Sequence, residues 1–222
     1  MEEYLSEKER WEWVRAQVRE NAPAVILAAV VVLGSLAGWR WWQERQDSAR
    51  VAAGGRYMKM VEALDHGDHA EAMVLLGELE RESAGSSYTD QAKMLAARVY
   101  MEAGELDKAA NELSTVAAQA KDHNLADVAR LRLARVQVAQ GKADAALTTL
   151  GPNDATAFAG RSHEVRGDAY FAKGSQTEAL NEYRAAKAAS PAMSNPLLDL
   201  KIADLSGDTV PAATAAPAAL TK

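Results

Sequence analysis

The nineteen residues from Asn21 to Trp39 carry no charge, and Ala22 to Leu33 is almost wholly Ala, Val, Ile and Leu. As a helix this run rises about 28 Å, close to the hydrocarbon thickness of a bilayer. Few chains can hide such a stretch, so it reads as a membrane span. Trp11 and Trp13 precede it, and Trp39, Trp41 and Trp42 bracket Arg40 at its far end. Trp favours the boundary between acyl chains and headgroups, because its ring is apolar and its N–H wants a partner. A removed secretory signal has a short basic start and a small-residue cleavage site. Here the preceding segment is long and rich in Glu, and no clean site follows Leu36, so the expectation is a retained anchor over 21–42. Gly34 and Gly38 form a G-x-x-x-G, a candidate contact with other membrane helices. Lys8, Arg10, Arg15 and Arg19 lie on one side, and Arg40, Arg45, Arg50 and Arg56 on the other, so charge alone gives no orientation.

Before the span, residues 1–20 are expected to form an amphipathic helix. Ser6 and Glu9 suit a capping box, and Trp11, Val14 and Val18 share one face. Asn21-Ala22-Pro23 is the expected break into the span. After it, 43–55 reads as a helical stem that Gly54-Gly55 would loosen.

From residue 56 the chain repeats itself. Gly67, Gly104, Gly141 and Gly174 are spaced by 37, 37 and 33 residues, and each closes one helical pattern and opens another. An Ala stands five residues after each: Ala72, Ala109, Ala146 and Ala179. Nine after each is a large apolar residue: Leu76, Leu113, Leu150 and Tyr183. Seven before stand Met60, Ala97, Ala134 and Gly167, mostly small. The pattern predicts an all-α solenoid of about four helix-turn-helix repeats over 56–205. Gly85-Ser86-Ser87 and Gly151-Pro152-Asn153-Asp154 are expected connections, Pro196 to Leu205 a closing helix, and the Ala/Pro/Thr tail 206–222 disordered.

The net charge of −6 argues against a nucleic-acid surface. With no Cys, disulfides, thiolate metal sites and a cysteine nucleophile are excluded. No phosphate loop, paired His or nucleophile elbow is present, so neither an enzyme nor a cofactor is expected. Asp65-His66-Gly67-Asp68-His69 looks metal-like, but its place at a turn favours capping over ligation.

The offsets resemble the tetratricopeptide repeat. The fourth copy is clearest, with Gly167, Tyr170, Ala179, Tyr183, Ala186 and Pro191. The third departs at Gln137, where an aromatic is usual, and the first is degenerate at Met60 and Ala63. The resemblance implies a concave groove lined by the first helix of each pair. Its positions here are Tyr57, Val61 and Leu64, then Met94, Arg98 and Met101. Next come Leu131, Arg135 and Val138, then Glu164, Asp168 and Phe171. Met and Arg suit adaptable, charge-assisted protein contacts.

The whole chain resembles the ancillary SecYEG translocon subunit family. The residues that carry this are the acidic-aromatic start, Gly38-Trp39-Arg40-Trp41-Trp42, and Leu131 to Val138 with Ala143 to Leu147. Arg166 to Tyr170 and Met193 to Leu205 add to it. The resemblance implies a single-pass protein of the bacterial inner membrane, with a cytoplasmic N-terminus and a periplasmic repeat domain. It also implies association with the SecYEG translocon and a periplasmic, membrane-anchored, PpiD-like chaperone, and contact with translocating polypeptides. The alternative is a tethered oligomeric scaffold for another envelope assembly process.

Overall fold

The computed structural model describes residues 7–20, 22–151, 158–189 and 195–207. Ser6, Asn21, Pro152 to Asp154, Pro191, Met193 and the tail from 208 lie outside the described residues, with the expectations attached to them. Among the described residues there are ten α-helices and no strand. The chain forms two units, Met1–Ala52 and Ala53–Lys222.

In the first unit, α1 runs Glu7–Glu20, and α2 (Ala22–Asp65) begins and continues into the second. Trp11 and Trp13 are exposed, and so are Ile26, Leu27, Val30 to Leu33 and Leu36. This helix is long and apolar enough to cross a membrane, and none of its most apolar stretch is buried. Water would penalise so much exposed hydrocarbon heavily; lipid would not. Trp39 and Trp42 meet with ring centroids 5.4 Å apart and planes tilted by 39°, and Arg45 lies over the Trp41 ring at 5.5 Å.

The expected loosening at Gly54-Gly55 does not occur: the backbone stays helical to Asp65. Packing explains Gly54. A Cβ there would stand 3.2 Å from Cζ of Tyr88, so a bare backbone lets that ring approach. Ala53 is already fully buried in the first core cluster.

The second unit holds the C-terminal part of α2 and eight further helices. They are α3 (His69–Glu82), α4 (Ser87–Glu102), α5 (Leu106–Gln119) and α6 (His123–Ala139). Then come α7 (Ala143–Leu150), α8 (Ala159–Ala172), α9 (Gln176–Ala189) and α10 (Pro196–Ser206). The pairs α2/α3, α4/α5, α6/α7 and α8/α9 are the four repeats, turned at the four predicted glycines. Gly67, Gly104, Gly141 and Gly174 have φ of 77°, 74°, 75° and 78°, a left-handed conformation that a Cβ disfavours. Each glycine N–H bonds three residues back, as Gly141 does to the Val138 carbonyl at 2.9 Å. The following N–H bonds five back, as Lys142 does to the Gln137 carbonyl at 2.8 Å. This double closure satisfies carbonyls that the helix end would otherwise leave open.

The small residues after the turns are what let paired helices meet. Ala72, Ala109, Ala146 and Ala179 are each fully buried. Around them lie four core clusters, centred on Met60 and Leu79, on Leu113 and Val116, on Ala134 and Val165, and on Tyr183 and Leu198. At Gln137 the polar side chain is satisfied, since its Oε1 accepts from the Thr149 hydroxyl at 2.8 Å. The closing helix α10 is capped by Asn195, which accepts from the Leu198 N–H, and docks through Leu198, Ile202 and Leu205.

Two carboxyls are held against their preference for water. Burial, then the neighbouring Glu80, raises the Glu112 carboxyl above its ordinary value, with Lys93 opposing. Burial raises Asp90 likewise, against Lys93 and Lys121. The folded state therefore holds the Glu112 proton more firmly than the unfolded chain does. Its contribution favours folding below the ordinary carboxyl pKa and is lost as pH rises through the raised value. Glu112→Gln should accordingly raise the urea midpoint at about pH 7, with the gain shrinking towards about pH 4. An equal gain at both values would refute this.

Candidate functional site

The groove positions do not share one fate. In the first repeat, Tyr57 and Leu64 pack against the core, and the Tyr57 ring lies 5.9 Å from that of Tyr88. Val61 beside them is half-buried. In the third, Leu131 is itself core, buried with Ala143 and Val165, and Val138 packs beside it. In the fourth, Glu164 and Asp168 are engaged by α10, whose Lys201 Nζ reaches them at 3.3 and 2.7 Å. Asp168 also accepts from the Tyr183 hydroxyl at 2.8 Å. Burial, then this bond, pushes the Tyr183 hydroxyl well above the usual phenol range. Phe171 is half exposed.

What the fold does bring together is the middle of the set. Met94, Arg98 and Met101 of α4 face Arg132 and Arg135 of α6 across a cavity of about 260 Å³, with Ala97 and Leu113 also lining it. Ala97 and Leu113 are fully buried, so the cavity is apolar at depth. Arg98, Met101, Arg132 and Arg135 are exposed and form its mouth. The Arg98 Nε donates to Glu102 at 2.8 Å. Arg132 and Arg135 make no ion pair and no side-chain hydrogen bond among the described residues.

Arg132 is the lining residue that the family template misses. Each step along a helix turns the side chain by about 100°. In α6, Leu131 and Ala134 turn to the third core cluster, while Arg132 and Arg135, one turn apart, face α4.

Elsewhere, polar groups cap helices and pair with one another. Asp68 caps α3 by accepting from the Glu71 N–H at 2.9 Å. Among the described residues no three His, Asp or Glu gather as metal ligands do. His123 opens α6 and is exposed. His163 is drawn in, its Nδ1 lying 2.7 Å from Glu182. Arg166 meets the same carboxylate at 3.2 Å and donates to the Gly151 carbonyl at 2.8 Å. Gly34 and Gly38 have open space where a Cβ would stand.

Comparison with known proteins sets this geometry in context. Residues 15–207 match the tetratricopeptide repeat-like domain family. The chain is 34% identical to the ancillary SecYEG translocon subunit of Escherichia coli (strain K12), over 93% of this chain and 100% of that protein. It is 30% identical to the subunit of the same name from Neisseria gonorrhoeae (strain ATCC 700825 / FA 1090), over 81% of this chain and 88% of that one. Among solved structures, MamA from Desulfovibrio magneticus RS-1 is similar, with a TM-score of 0.57 at 18% identity, covering 70% of this chain and 86% of that chain. That last likeness concerns the fold alone.

Proposed function

Because this chain belongs to the ancillary SecYEG translocon subunit family, built on a tetratricopeptide repeat-like domain, we propose that it is a non-enzymatic inner-membrane adaptor at the Sec translocon. Its apolar helix anchors it beside the channel, through the Gly34/Gly38 face among other contacts. Its N-terminus is cytoplasmic and its repeats are periplasmic. There the repeats receive proteins emerging from the channel and pass them to a membrane-anchored chaperone of the prolyl-isomerase-like type. The observation that carries this reading is that the kinship runs through the apolar helix as well as the repeats, over residues 15–207.

The physical logic is one of tethering. Two partners held on one membrane meet at an effective concentration that can reach about the millimolar range, so weak contacts suffice. A solenoid supplies such contacts over an extended surface without moving parts.

The test is recovery of partners from membranes solubilised in nonionic detergent. A tagged full-length chain should bring down SecYEG and the chaperone, and Gly34→Ile with Gly38→Ile should weaken recovery of the channel. Protease added to intact spheroplasts should digest the repeats. A chain that recovers neither partner, or whose repeats are cut only from the cytoplasmic face, would overturn the proposal.

A further inference from the structure

We infer that the cavity between α4 and α6 binds an extended peptide segment in which carboxylates flank an apolar side chain. The inference rests on the adaptor reading and names what the repeats take hold of. Its basis is a mismatch of charge. The chain is acidic overall, at −6, yet three arginines converge on one cavity mouth. Arg98 already has Glu102. Arg132 and Arg135 have no carboxylate of their own among the described residues. Two guanidinium groups three residues apart on one helix repel each other, and an incoming carboxylate relieves that repulsion. Arg also offers the planar, bidentate geometry that a carboxylate matches.

The floor selects the rest of the ligand. Leu113, Ala97 and Met94 offer no buried polar group, so what enters is apolar. At about 260 Å³ the cavity is smaller than the usual range for whole small ligands, about 300–1,000 Å³, and suits a side chain. Met94 and Met101 at its wall can repack around different shapes, so the site reads a pattern and not one sequence. Side chains two residues apart in an extended chain share one face, so an apolar side chain in the cavity places acidic ones two residues before and after it at the arginine mouth, with the backbone along the rim.

The experiment uses the full chain in phosphatidylcholine nanodiscs and three dye-labelled peptides followed by fluorescence anisotropy. One repeats Leu-Ser-Glu-Ser, one Leu-Ser-Lys-Ser, one Ser-Ser-Glu-Ser, so that the apolar and charged side chains share one face of the extended chain. The Leu/Glu peptide should bind at least about tenfold tighter than either other, and the affinity should fall as salt rises. Arg132→Glu with Arg135→Glu should abolish that preference, while Arg132→Lys with Arg135→Lys should keep part of it. Arg81→Glu, outside the cavity, should change nothing. Helical melting curves check that each variant folds; if the charge reversal does not, the lysine pair and the salt titration decide. Equal binding of the Leu/Lys peptide, no dependence on salt, or unchanged affinity after charge reversal would overturn the inference. So would displacement by dihexanoyl phosphatidylglycerol, which would assign the cavity to lipid. Absence of all peptide binding alongside intact recovery of the translocon would refute this site and leave the adaptor reading standing.

Discussion

Gly167→Leu should collapse the fourth repeat. Gly167 is buried inside α8, and a Cβ added there would collide with the Tyr183 ring. The ring has nowhere to go: Tyr183 is 2% exposed, and its hydroxyl is fixed to Asp168, which Lys201 also holds. Overpacking of this kind costs about 1–3 kcal/mol, and more for a side chain as large as Leu. Gly167→Ala sets the same collision against a gain of about 1 kcal/mol in helix propensity, so it should destabilise less. Urea unfolding followed by circular dichroism reads both. Tyr183→Ala costs stability alone, yet in combination with Gly167→Leu it should recover part of the loss, because the two changes are coupled. A Gly167→Leu chain with the parent midpoint would refute the packing argument.

Leu113→Ala is the second large effect. Leu113 is fully buried among Ala109, Val116, Ala129 and Val136. Removing its branched end should cost about 2–5 kcal/mol, depending on how far the neighbours relax into the space. It also floors the cavity, so acidic-apolar peptide binding should fall with it. Arg132→Glu separates the two roles, since that exposed side chain should govern binding while leaving the unfolding midpoint within about 0.5 kcal/mol. Equal loss of stability in both variants would show that the cavity mouth is part of the core.

The repeats were legible in the sequence because their determinants are local. A turn that needs left-handed backbone selects Gly, and a close helix pair selects Ala five residues later; both recur at Gly104/Ala109 and Gly141/Ala146. The apolar span was legible for the same reason. The groove was not, because a template that assigns faces by position cannot know how far each helix is rotated. It put Leu131 at the surface, where the structure buries it, and passed over Arg132. It also could not foresee that α10 would engage Glu164 and Asp168, a contact that depends on chain more than thirty residues away. Changing Tyr57 or Leu64 to Glu would likewise probe the core and not a groove, since both pack against the first cluster.

The four core clusters follow one another along the chain: Ala53 to Ala96, Met94 to Val136, Leu131 to Ala169, and Ala179 to Leu198. Each overlaps at most its neighbour, so no cluster waits for a distant strand or helix. Local topology of this kind lowers the loop-closure cost of each folding step. Repeats that leave a narrow exit in sequence order, beginning just after the anchor, could therefore bury their apolar residues segment by segment, while the rest was still in transit. A protein proposed to meet others as they emerge has a core that can assemble in order of emergence.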